Sequence, residues 1–147
     1  MNCLPLAVQI YQVILNMTKL KPVSYFLSYL DIVEQSPRVV KELRVGGVKS
    51  DSRQVSAGDI FVAISGEYSD GHNYIYEAAK RGAALILGTK PIDIQLNSLP
   101  YVQVSNSQIA LATAAAAFYD FPAKKMVMIG VTGTDGKTTT CNLIYNI

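Results

Sequence analysis

A glycine- and threonine-rich segment, residues 130–140, carries the clearest chemical signal in the sequence. It follows an apolar run at residues 126–131 that is typical of a strand, and it opens a helix predicted to begin near Lys137. Glycines let the backbone turn tightly and bring N–H groups close to phosphate oxygens, and the first turn of a helix adds a partial positive charge. The pattern predicts a nucleotide-binding loop in which Lys137 contacts the β- and γ-phosphates and the Thr138 hydroxyl binds Mg²⁺.

The loop departs from the common Walker A spacing. That pattern places a glycine six residues before the lysine, but Val131 occupies that position and Gly130 lies one place too early. The remaining sequence, Gly-x-x-Gly-Lys-Thr, has as its ordinary alternative a glycine-rich turn between a strand and a helix, with an incidental lysine. Because two glycines, a lysine and three threonines follow a strand-like run, the nucleotide-binding loop is the favoured interpretation.

Two other polar loops could contact a ligand. The sequence Asp51-Ser52-Arg53 could bind a polar group, and its ordinary alternative is an Asx-type turn. Residues 67–72 form a polar, aromatic loop after an apolar run, which is a common place for ligand contacts, although an ordinary turn would have the same composition. His72 has no evident catalytic partner in the sequence, and its ordinary interpretation is a residue at the entry to a helix. Cys141 is most simply a small packing residue.

Composition excludes several classes of protein. The 147 residues are 50% hydrophobic and 16% charged, which predicts about one folded domain with a core. A net charge of +2 without a basic stripe gives no support for nucleic-acid binding. The single histidine excludes a multi-histidine metal cage, and two cysteines near opposite ends argue against a disulfide scaffold or a cysteine-based zinc site.

The N-terminal segment leaves two interpretations open. Its apolar run, residues 4–15, is interrupted by two glutamines and is shorter than the roughly 20 residues that a membrane-spanning helix needs. It also lacks the basic start and the cleavage site of a secretory signal, so we expect a cytoplasmic protein that does not enter a membrane. The first 16 residues are either a leader that precedes a start at Met17 or a genuine N-terminal helix.

The order of the predicted elements indicates an α/β fold. Apolar spacing predicts helices at residues 23–35, 73–82 and 109–118. Short apolar runs predict strands at residues 60–64, 83–87, 101–104 and 126–131. Residues 39–48 remain ambiguous, residues 88–100 are predicted to be mostly loop, and Ser105 with Gln108 fits a capping box before the last complete helix. The alternation predicts at least partly parallel pairing, with a domain boundary near residues 121–124.

Several separate motifs occur in the order and spacing of one known family. They cover about 100 residues, from Val48 to the end, and they include Asp51-Ser52-Arg53, Gly58-Asp59-Ile60-Phe61-Val62-Ala63, Asp70-Gly71-His72, Arg81-Gly82-Ala83-Ala84, Phe118-Tyr119 with Pro122, and the glycine-rich loop. Together they resemble the N-terminal part of the Mur ligases. The Phe-Tyr-x-x-Pro sequence favours the branch of that family that adds the third stem-peptide residue to the peptidoglycan precursor.

The resemblance implies an α/β chain in two parts. Residues 21–121 would form a small N-terminal Mur-ligase-type domain that binds the UDP-substrate, with a mixed sheet flanked by helices. Residues 122–147 would be the incomplete start of a central P-loop ATPase-type domain, comprising its first strand, the loop and the beginning of a helix. Residues 1–20 would be the possible leader or extra helix. Such a chain would be a ligase truncated just after its ATP-binding loop.

The resemblance also implies site residues by motif position. The UDP part of the substrate would be bound by Ser50, Ser52, Arg53, Glu67, Tyr68 and Ser69. ATP would be bound by Gly133, Thr134, Asp135, Gly136, Lys137, Thr138 and Thr139, with Lys137 as the catalytic residue and Thr138 as the Mg²⁺ ligand. Asp135 departs from the family pattern, which usually has Asn there. An extra carboxylate beside a triphosphate is electrostatically unfavourable unless Mg²⁺ or a basic group offsets it.

The family reaction implies the ligands. ATP phosphorylates a substrate carboxylate, and the amine of an amino acid attacks the acyl phosphate. The expected ligands are UDP-N-acetylmuramoyl-dipeptide, ATP and Mg²⁺, bound by a monomeric chain. A truncated ligase that is inactive alone is the first hypothesis, a non-catalytic module that binds UDP-muramoyl precursors is the alternative, and a small P-loop NTPase is the third. If the ATPase part is incomplete, its apolar residues should be exposed, disordered or packed on the first domain.

Overall fold

The computed structural model describes residues 20–66, 69–91, 93, 98–127 and 129–145. The predictions for the N-terminal leader or helix, and those for Glu67 and Tyr68, lie outside these residues. Within the described part of the chain, no helix is long and apolar enough to cross a membrane.

The described residues form short strands connected by helices and turns. The strands are β1 (Lys21–Pro22), β2 (Ile32–Gln35), β3 (Arg44–Val45), β4 (Val48–Lys49), β5 (Ile60–Val62), β6 (Leu85–Gly88) and β7 (Tyr101–Val104). The α-helices are α1 (Val23–Leu27), α2 (Ile75–Lys80), α3 (Ser107–Phe118) and α4 (Lys137–Tyr145). Turns of 3-10 helix lie at Ser52–Gln54, Gly71–Tyr74 and Pro122–Lys125.

The fold is built on one mixed, five-stranded sheet. Its strand order is β2-β7-β6-β5-β4; the last four of these strands are parallel to one another, and β2 pairs with β7 in the antiparallel direction. β1 and β3 form a separate antiparallel pair. The mixed α/β sheet expected from the sequence is therefore confirmed, and the strands predicted near residues 60–64, 83–87 and 101–104 are all present.

The central strands are buried on both faces, which explains their continuous apolar runs. Ile60, Phe61 and Val62 of β5 are fully buried. Because side chains alternate across a strand, Ile60 and Val62 pack with α1 and α3 on one face, whereas Phe61 packs with α2 on the other. The small residues of α3 let this helix lie close to the sheet; those in the core are Ala110, Ala114 and Ala117.

The predicted helix at residues 23–35 is wrong beyond Leu27. α1 ends there, and after a turn Ile32–Gln35 forms β2 along the free edge of β7. Val23 and Phe26 face the core as the helical pattern requires, but Val33 is 61% exposed. Pairing with β7 satisfies backbone hydrogen bonds that the local apolar pattern does not reveal, and this tertiary gain overrides the helical periodicity. The ambiguous residues 39–48 contain β3 and the start of β4.

α3 begins earlier than predicted and has a different cap. Asn106 is its N-cap, because the side-chain oxygen accepts from the N–H groups of Gln108 at 2.9 Å and Ile109 at 3.0 Å. The Ser105 hydroxyl donates instead to Asp31, which ties the start of α3 to the turn before β2. The predicted capping box is therefore wrong by one residue, although a polar cap is present at this end of the helix.

The chain turns sharply at the predicted domain boundary. Asp120 and Phe121 follow α3 with φ angles of 60° and 50°, a left-handed conformation that is uncommon for residues other than glycine. The Phe121 N–H donates back to the carbonyl of Ala116 at 2.7 Å, and the Phe121 ring packs against Tyr29 with a centroid separation of 4.8 Å. Tertiary packing therefore holds this turn. The division of the chain into domains stays a prediction.

The strand predicted at residues 126–131 is absent from the described part of that range. Val127 is 90% exposed and Ile129 is 65% exposed. An isolated strand is unstable because its backbone N–H and C=O groups have no partner strand. α4 forms where a helix was predicted, and no residue described within it is buried. Of the three outcomes expected for the apolar residues in this part of the chain, the structure shows exposure.

Candidate functional site

A cavity of about 540 Å³ opens at one edge of the sheet. The loops that follow β4 and β5 meet there, because the carboxyl ends of parallel strands lie at the same edge, which is where ligands bind in open α/β sheets. The cavity brings together four predicted UDP-site residues and two side chains from the region of α2; these are Ser50, Ser52, Arg53, Ser69, Tyr74 and Glu77. Tyr74 and Glu77 were not identified from the sequence.

The Asp51-Ser52-Arg53 turn is held by its own charged side chains. The Asp51 carboxylate accepts from the Arg53 backbone N–H at 3.0 Å, which caps the 3-10 turn, and it also binds the Arg53 guanidinium at 2.8 Å. These hydrogen bonds lower the pKa of Asp51 to about 2, and the same contact raises the pKa of Arg53. The Asx-type turn and the ligand site expected from the sequence are therefore compatible, because the turn shapes the cavity wall.

Ser52 lies in the cavity wall, and its hydroxyl is hydrogen-bonded to α2. It is 5% exposed, and its hydroxyl donates to a Glu77 carboxylate oxygen at 2.9 Å. Arg81, one helical turn after Glu77, binds the other carboxylate oxygen at 3.1 Å and donates to the Arg53 carbonyl at 3.1 Å. α2 thus holds the turn at two points. The available sequence signal was the acid–base pair at i and i+4, which places both side chains on one face of a helix.

The second polar loop closes tightly beside the cavity. The Gly66 N–H donates to the Ser69 carbonyl at 2.9 Å, and Ser65 pairs with Asp70 as an isolated bridge. A Cβ at Gly71 would lie 2.7 Å from the backbone nitrogen of Ile64, so this position accepts only glycine without a backbone shift. The loop therefore places Ser69 at the cavity, whereas Glu67 and Tyr68 lie outside the described residues.

His72 is buried and links this loop to Thr89 and Asp70 by hydrogen bonds. Its side chain is 1% exposed, and Nε2 accepts from the Thr89 backbone N–H at 2.9 Å. Because that backbone group can only donate, the ring proton lies on Nδ1 and is donated to the Asp70 carboxylate at 2.6 Å. Hydrogen bonds from His72 and the nearby Lys90 ammonium hold the pKa of Asp70 well below its usual range. The interpretation of His72 as a helix-entry residue agrees with its place in the Gly71–Tyr74 turn.

The glycine-rich loop adopts an open turn at the start of α4. Gly133 and Gly136 have φ angles of 148° and 76°, which favour glycine. The Lys137 ammonium donates to the carbonyls of Gly133 and Thr134, so it reaches back over the loop. A lysine at the first position of a nine-residue helix, preceded by glycines with positive φ, suits a phosphate group. The described residues contain no group of three His, Cys, Asp or Glu side chains that could hold a metal ion.

The fold and the site together define an α/β chain with a polar cavity at the carboxyl edge of parallel strands. This chain belongs to the Mur ligase family, because the sequence profile described as Mur ligase family, catalytic domain, matches residues 44–119. The matched range contains the whole described cavity and ends before the glycine-rich loop.

Similar proteins carry the names of peptidoglycan ligases. The chain is 37% identical over 124 residues to the UDP-N-acetylmuramoyl-L-alanyl-D-glutamate–2,6-diaminopimelate ligase of Lactiplantibacillus plantarum, a match that covers 84% of this chain and 24% of the relative. It is 48% identical over 96 residues to the UDP-N-acetylmuramyl-tripeptide synthetase of Roseiflexus, covering 65% of this chain and 19% of the relative. The chain therefore spans a quarter or less of the length of these relatives.

Solved structures of MurF ligases share the fold. The D-alanyl-D-alanyl-adding ligase of Acinetobacter baumannii matches with a TM-score of 0.62 and 24% identity, over 83% of this chain and 27% of that one. MurF of Thermotoga maritima in complex with ADP matches with a TM-score of 0.50 and 35% identity, over 67% of this chain and 22% of that one.

Proposed function

We propose that this chain contains the UDP-substrate-binding part and the ATP-binding loop of a ligase that adds the third stem-peptide residue to UDP-N-acetylmuramoyl-dipeptide. The observation that carries the proposal is the polar cavity of about 540 Å³, which gathers Ser50, Ser52, Arg53 and Ser69 within the range matched by the family. Relatives named as tripeptide synthetases support the choice of substrate. In this proposal Glu67 and Tyr68 complete the UDP site.

The glycine-rich loop is proposed to bind ATP. Support comes from the open backbone at Gly133 and Gly136, from the Lys137 ammonium that spans the loop, and from the ADP complex of a similar MurF structure. Thr134, Asp135 and Thr139 would line the nucleotide, and Thr138 would contribute a hydroxyl to Mg²⁺, which usually binds through few protein ligands and the substrate phosphates.

The proposed reaction forms an amide bond at the expense of ATP. The γ-phosphoryl group passes to a substrate carboxylate, the amino acid amine displaces phosphate from the acyl phosphate, and ADP and phosphate are released. In the chain, the cavity would fix the UDP end of the substrate, and Lys137 would neutralise charge on the transferring phosphoryl group. We propose that the chain is monomeric and cytoplasmic. We also propose that by itself it binds its ligands without converting them to product, because no strand precedes the loop in the described residues 126, 127 and 129–131.

Calorimetric titration with UDP-N-acetylmuramoyl-dipeptide, and separately with ATP, tests the proposal. We expect saturable binding of the UDP precursor, weak binding of ATP, and no tripeptide product or ATP hydrolysis when both are mixed with an amino acid. Efficient ATP hydrolysis by the chain would contradict the proposal and favour a small NTPase. Saturable binding of the UDP precursor with no ATP binding at all would favour the non-catalytic binding module.

Replacement of Lys137 by alanine tests whether the UDP-precursor site is separate from the glycine-rich loop. Lys137 contacts only its own loop among the hydrogen bonds of the described residues, so Lys137→Ala should leave binding of the UDP precursor unchanged. Loss of that binding would show that the two ligand sites are not separate.

A further inference from the structure

We infer that Glu77 and Arg81 are positioning residues that make the Ser52 hydroxyl a hydrogen-bond acceptor toward the cavity, so that the part of the ligand bound at Ser52 is a hydrogen-bond donor. The inference rests on the proposed function, because it concerns how the same cavity recognises the uridine end of the substrate. It adds to the proposed site two residues outside the family motif, and it says that Ser52 accepts a hydrogen bond from the ligand.

The polarity follows from the single proton of the serine hydroxyl. Ser52 donates that proton to a Glu77 carboxylate oxygen at 2.9 Å. An ionised carboxylate can only accept, so the direction of this hydrogen bond is fixed. Ser52 and Glu77 both form part of the cavity wall. With its proton donated to Glu77, the Ser52 side chain can offer only the lone pairs of its oxygen to the cavity.

Arg81 fixes the carboxylate that receives the proton. Its guanidinium binds Glu77 Oε1 at 3.1 Å, which leaves Glu77 Oε2 for Ser52. The same guanidinium donates to the Arg53 carbonyl at 3.1 Å, so it also holds the end of the 51–53 turn. Because Glu77 is a flexible side chain that is 40% exposed, the arginine restricts the rotamers that would otherwise release the hydroxyl.

The local charge disfavours a phosphate at this position. Asp51 and Glu77 both place carboxylates in the cavity wall, and each is already paired with an arginine, Arg53 or Arg81. A phosphate oxygen bound at Ser52 would therefore meet a hydrogen-bond acceptor with the Glu77 carboxylate directly behind it. A neutral N–H or O–H group fits better, and the uridine end of the substrate has two kinds, the uracil N3–H and the ribose hydroxyls.

The test compares Glu77→Met and Ser52→Ala, alone and combined, in titrations of the full chain with UDP-N-acetylmuramoyl-dipeptide. Ser52→Ala removes a hydrogen bond between the ligand and a neutral hydroxyl, which predicts binding that is weaker by up to about tenfold. Glu77→Met keeps the Ser52 oxygen but frees its proton to turn toward the cavity, so it should weaken binding by a smaller factor. If Glu77 acts through Ser52, the double variant should bind no more weakly than Ser52→Ala alone. Lys80→Met, which removes an exposed charge from the same helix, is the control and should bind like the wild type.

Analogues identify the donor group. N3-methyl-UDP, 2′-deoxy-UDP and 3′-deoxy-UDP are compared with UDP as competitors, and the analogue that lacks the recognised donor should compete poorly against the wild type but no worse than UDP against Ser52→Ala. Circular dichroism and thermal unfolding check that each variant is folded.

Three results would overturn the inference. The first is normal binding by folded Glu77→Met, and the second is additive losses in the double variant, which would indicate a general structural effect. The third is equal competition by UDP and all three analogues against the wild type. In all three cases wild-type binding of the substrate would leave the proposed function standing, whereas its absence would overturn both.

Discussion

Asp51 and Arg53 show how a charged pair can shape a binding site at the scale of single residues. Arg53 is 80% exposed at its side chain, so the pair is not a buried salt bridge and its value lies mainly in geometry. The carboxylate accepts from both the backbone and the guanidinium of Arg53. The turn that presents Ser52 to the cavity is consequently held in one conformation.

The Asp51 pair predicts a defined dependence of stability on pH. The pKa of Asp51 falls from 3.8 to about 2 on folding, so its stabilising effect is complete above the unfolded value and is lost as the pH falls through about 2. Urea unfolding of the wild type and of Asp51→Asn should therefore differ at pH 6 and converge at low pH. Arg53→Ala should show the same convergence. A constant difference at all pH values would contradict this assignment.

Replacement of Asp135 in the glycine-rich loop should strengthen ATP binding. Asp135 brings a carboxylate to a loop proposed to bind a triphosphate, and like charges about 4 Å apart in water repel by about 1 kcal/mol. Asp135→Asn should therefore bind ATP several-fold more tightly, and the gain should shrink as salt is added. Glu42→Gln removes the same charge from an exposed position elsewhere and serves as the control. Weaker ATP binding by Asp135→Asn would show that the carboxylate assists binding, for example through Mg²⁺.

At the scale of elements, the sequence predicted well where one pattern decides the outcome. Ile60 to Val62 are buried on both faces, so their apolar run is unambiguous. The strand β2 could not be predicted in the same way, because its partner β7 is remote in sequence and Val33 remains exposed. Likewise, Ser105 and Asn106 are both good N-caps, and the bond from Ser105 to Asp31 decides between them.

The candidate site, too, could be predicted from the sequence only in part, because tertiary contacts decide which side chains reach it. The motif residues Ser52 and Ser69 line one cavity, since they belong to loops that follow parallel strands, and their role in binding the UDP part of the substrate stays a prediction. Glu77 and Arg81 were not predicted as site residues, because only the packing of α2 against the 51–53 turn brings them there. Sequence spacing placed them on one helix face but gave no information about what that face contacts.

The hydrogen bond between His72 and Thr89 ties the loop at residues 65–72 to the end of β6, so loss of His72 should reduce stability. His72→Ala would leave the Thr89 N–H without its acceptor. An unsatisfied buried donor costs about 1 to 3 kcal/mol, and because this hydrogen bond is partly buried we expect a loss near the lower end of that range. Urea unfolding should show this loss, and binding of the UDP precursor should weaken because Ser69 shares the loop. Asn73→Ala, at an exposed neighbouring position, should have little effect on either measurement. Equal stability of the two variants would contradict the anchoring role.

At the scale of the whole molecule, order and burial are concentrated in the mixed sheet. Tyr101, Phe61 and Leu85 are among its fully buried side chains, whereas Leu143 in α4 is 63% exposed and Tyr145 is 89% exposed. Amphipathic helices in proteins gain most of their stability from tertiary packing, and α4 has no buried residue among those described.

Hydrogen exchange should separate these two parts of the chain. Amides of β5, β6 and β7 should exchange only through global unfolding, whereas those of α4 should exchange orders of magnitude faster. The measurement is mass-spectrometric exchange on the full chain at a concentration at which it is monomeric. Full protection of residues 137–145 in the monomer would show that α4 packs on the rest of the molecule.

The position of β2 has a consequence for biosynthesis. Ile32 pairs with Val104, so this edge strand leaves the ribosome long before its partner does. Until β7 is made, the backbone of β2 has no native strand to bind, and such unpaired segments are open to wrong partners. Closure of the sheet is also a long-range contact, which slows folding. In the nascent chain, β2 therefore stays without its native partner until β7 is synthesised, and the five-stranded sheet is completed late.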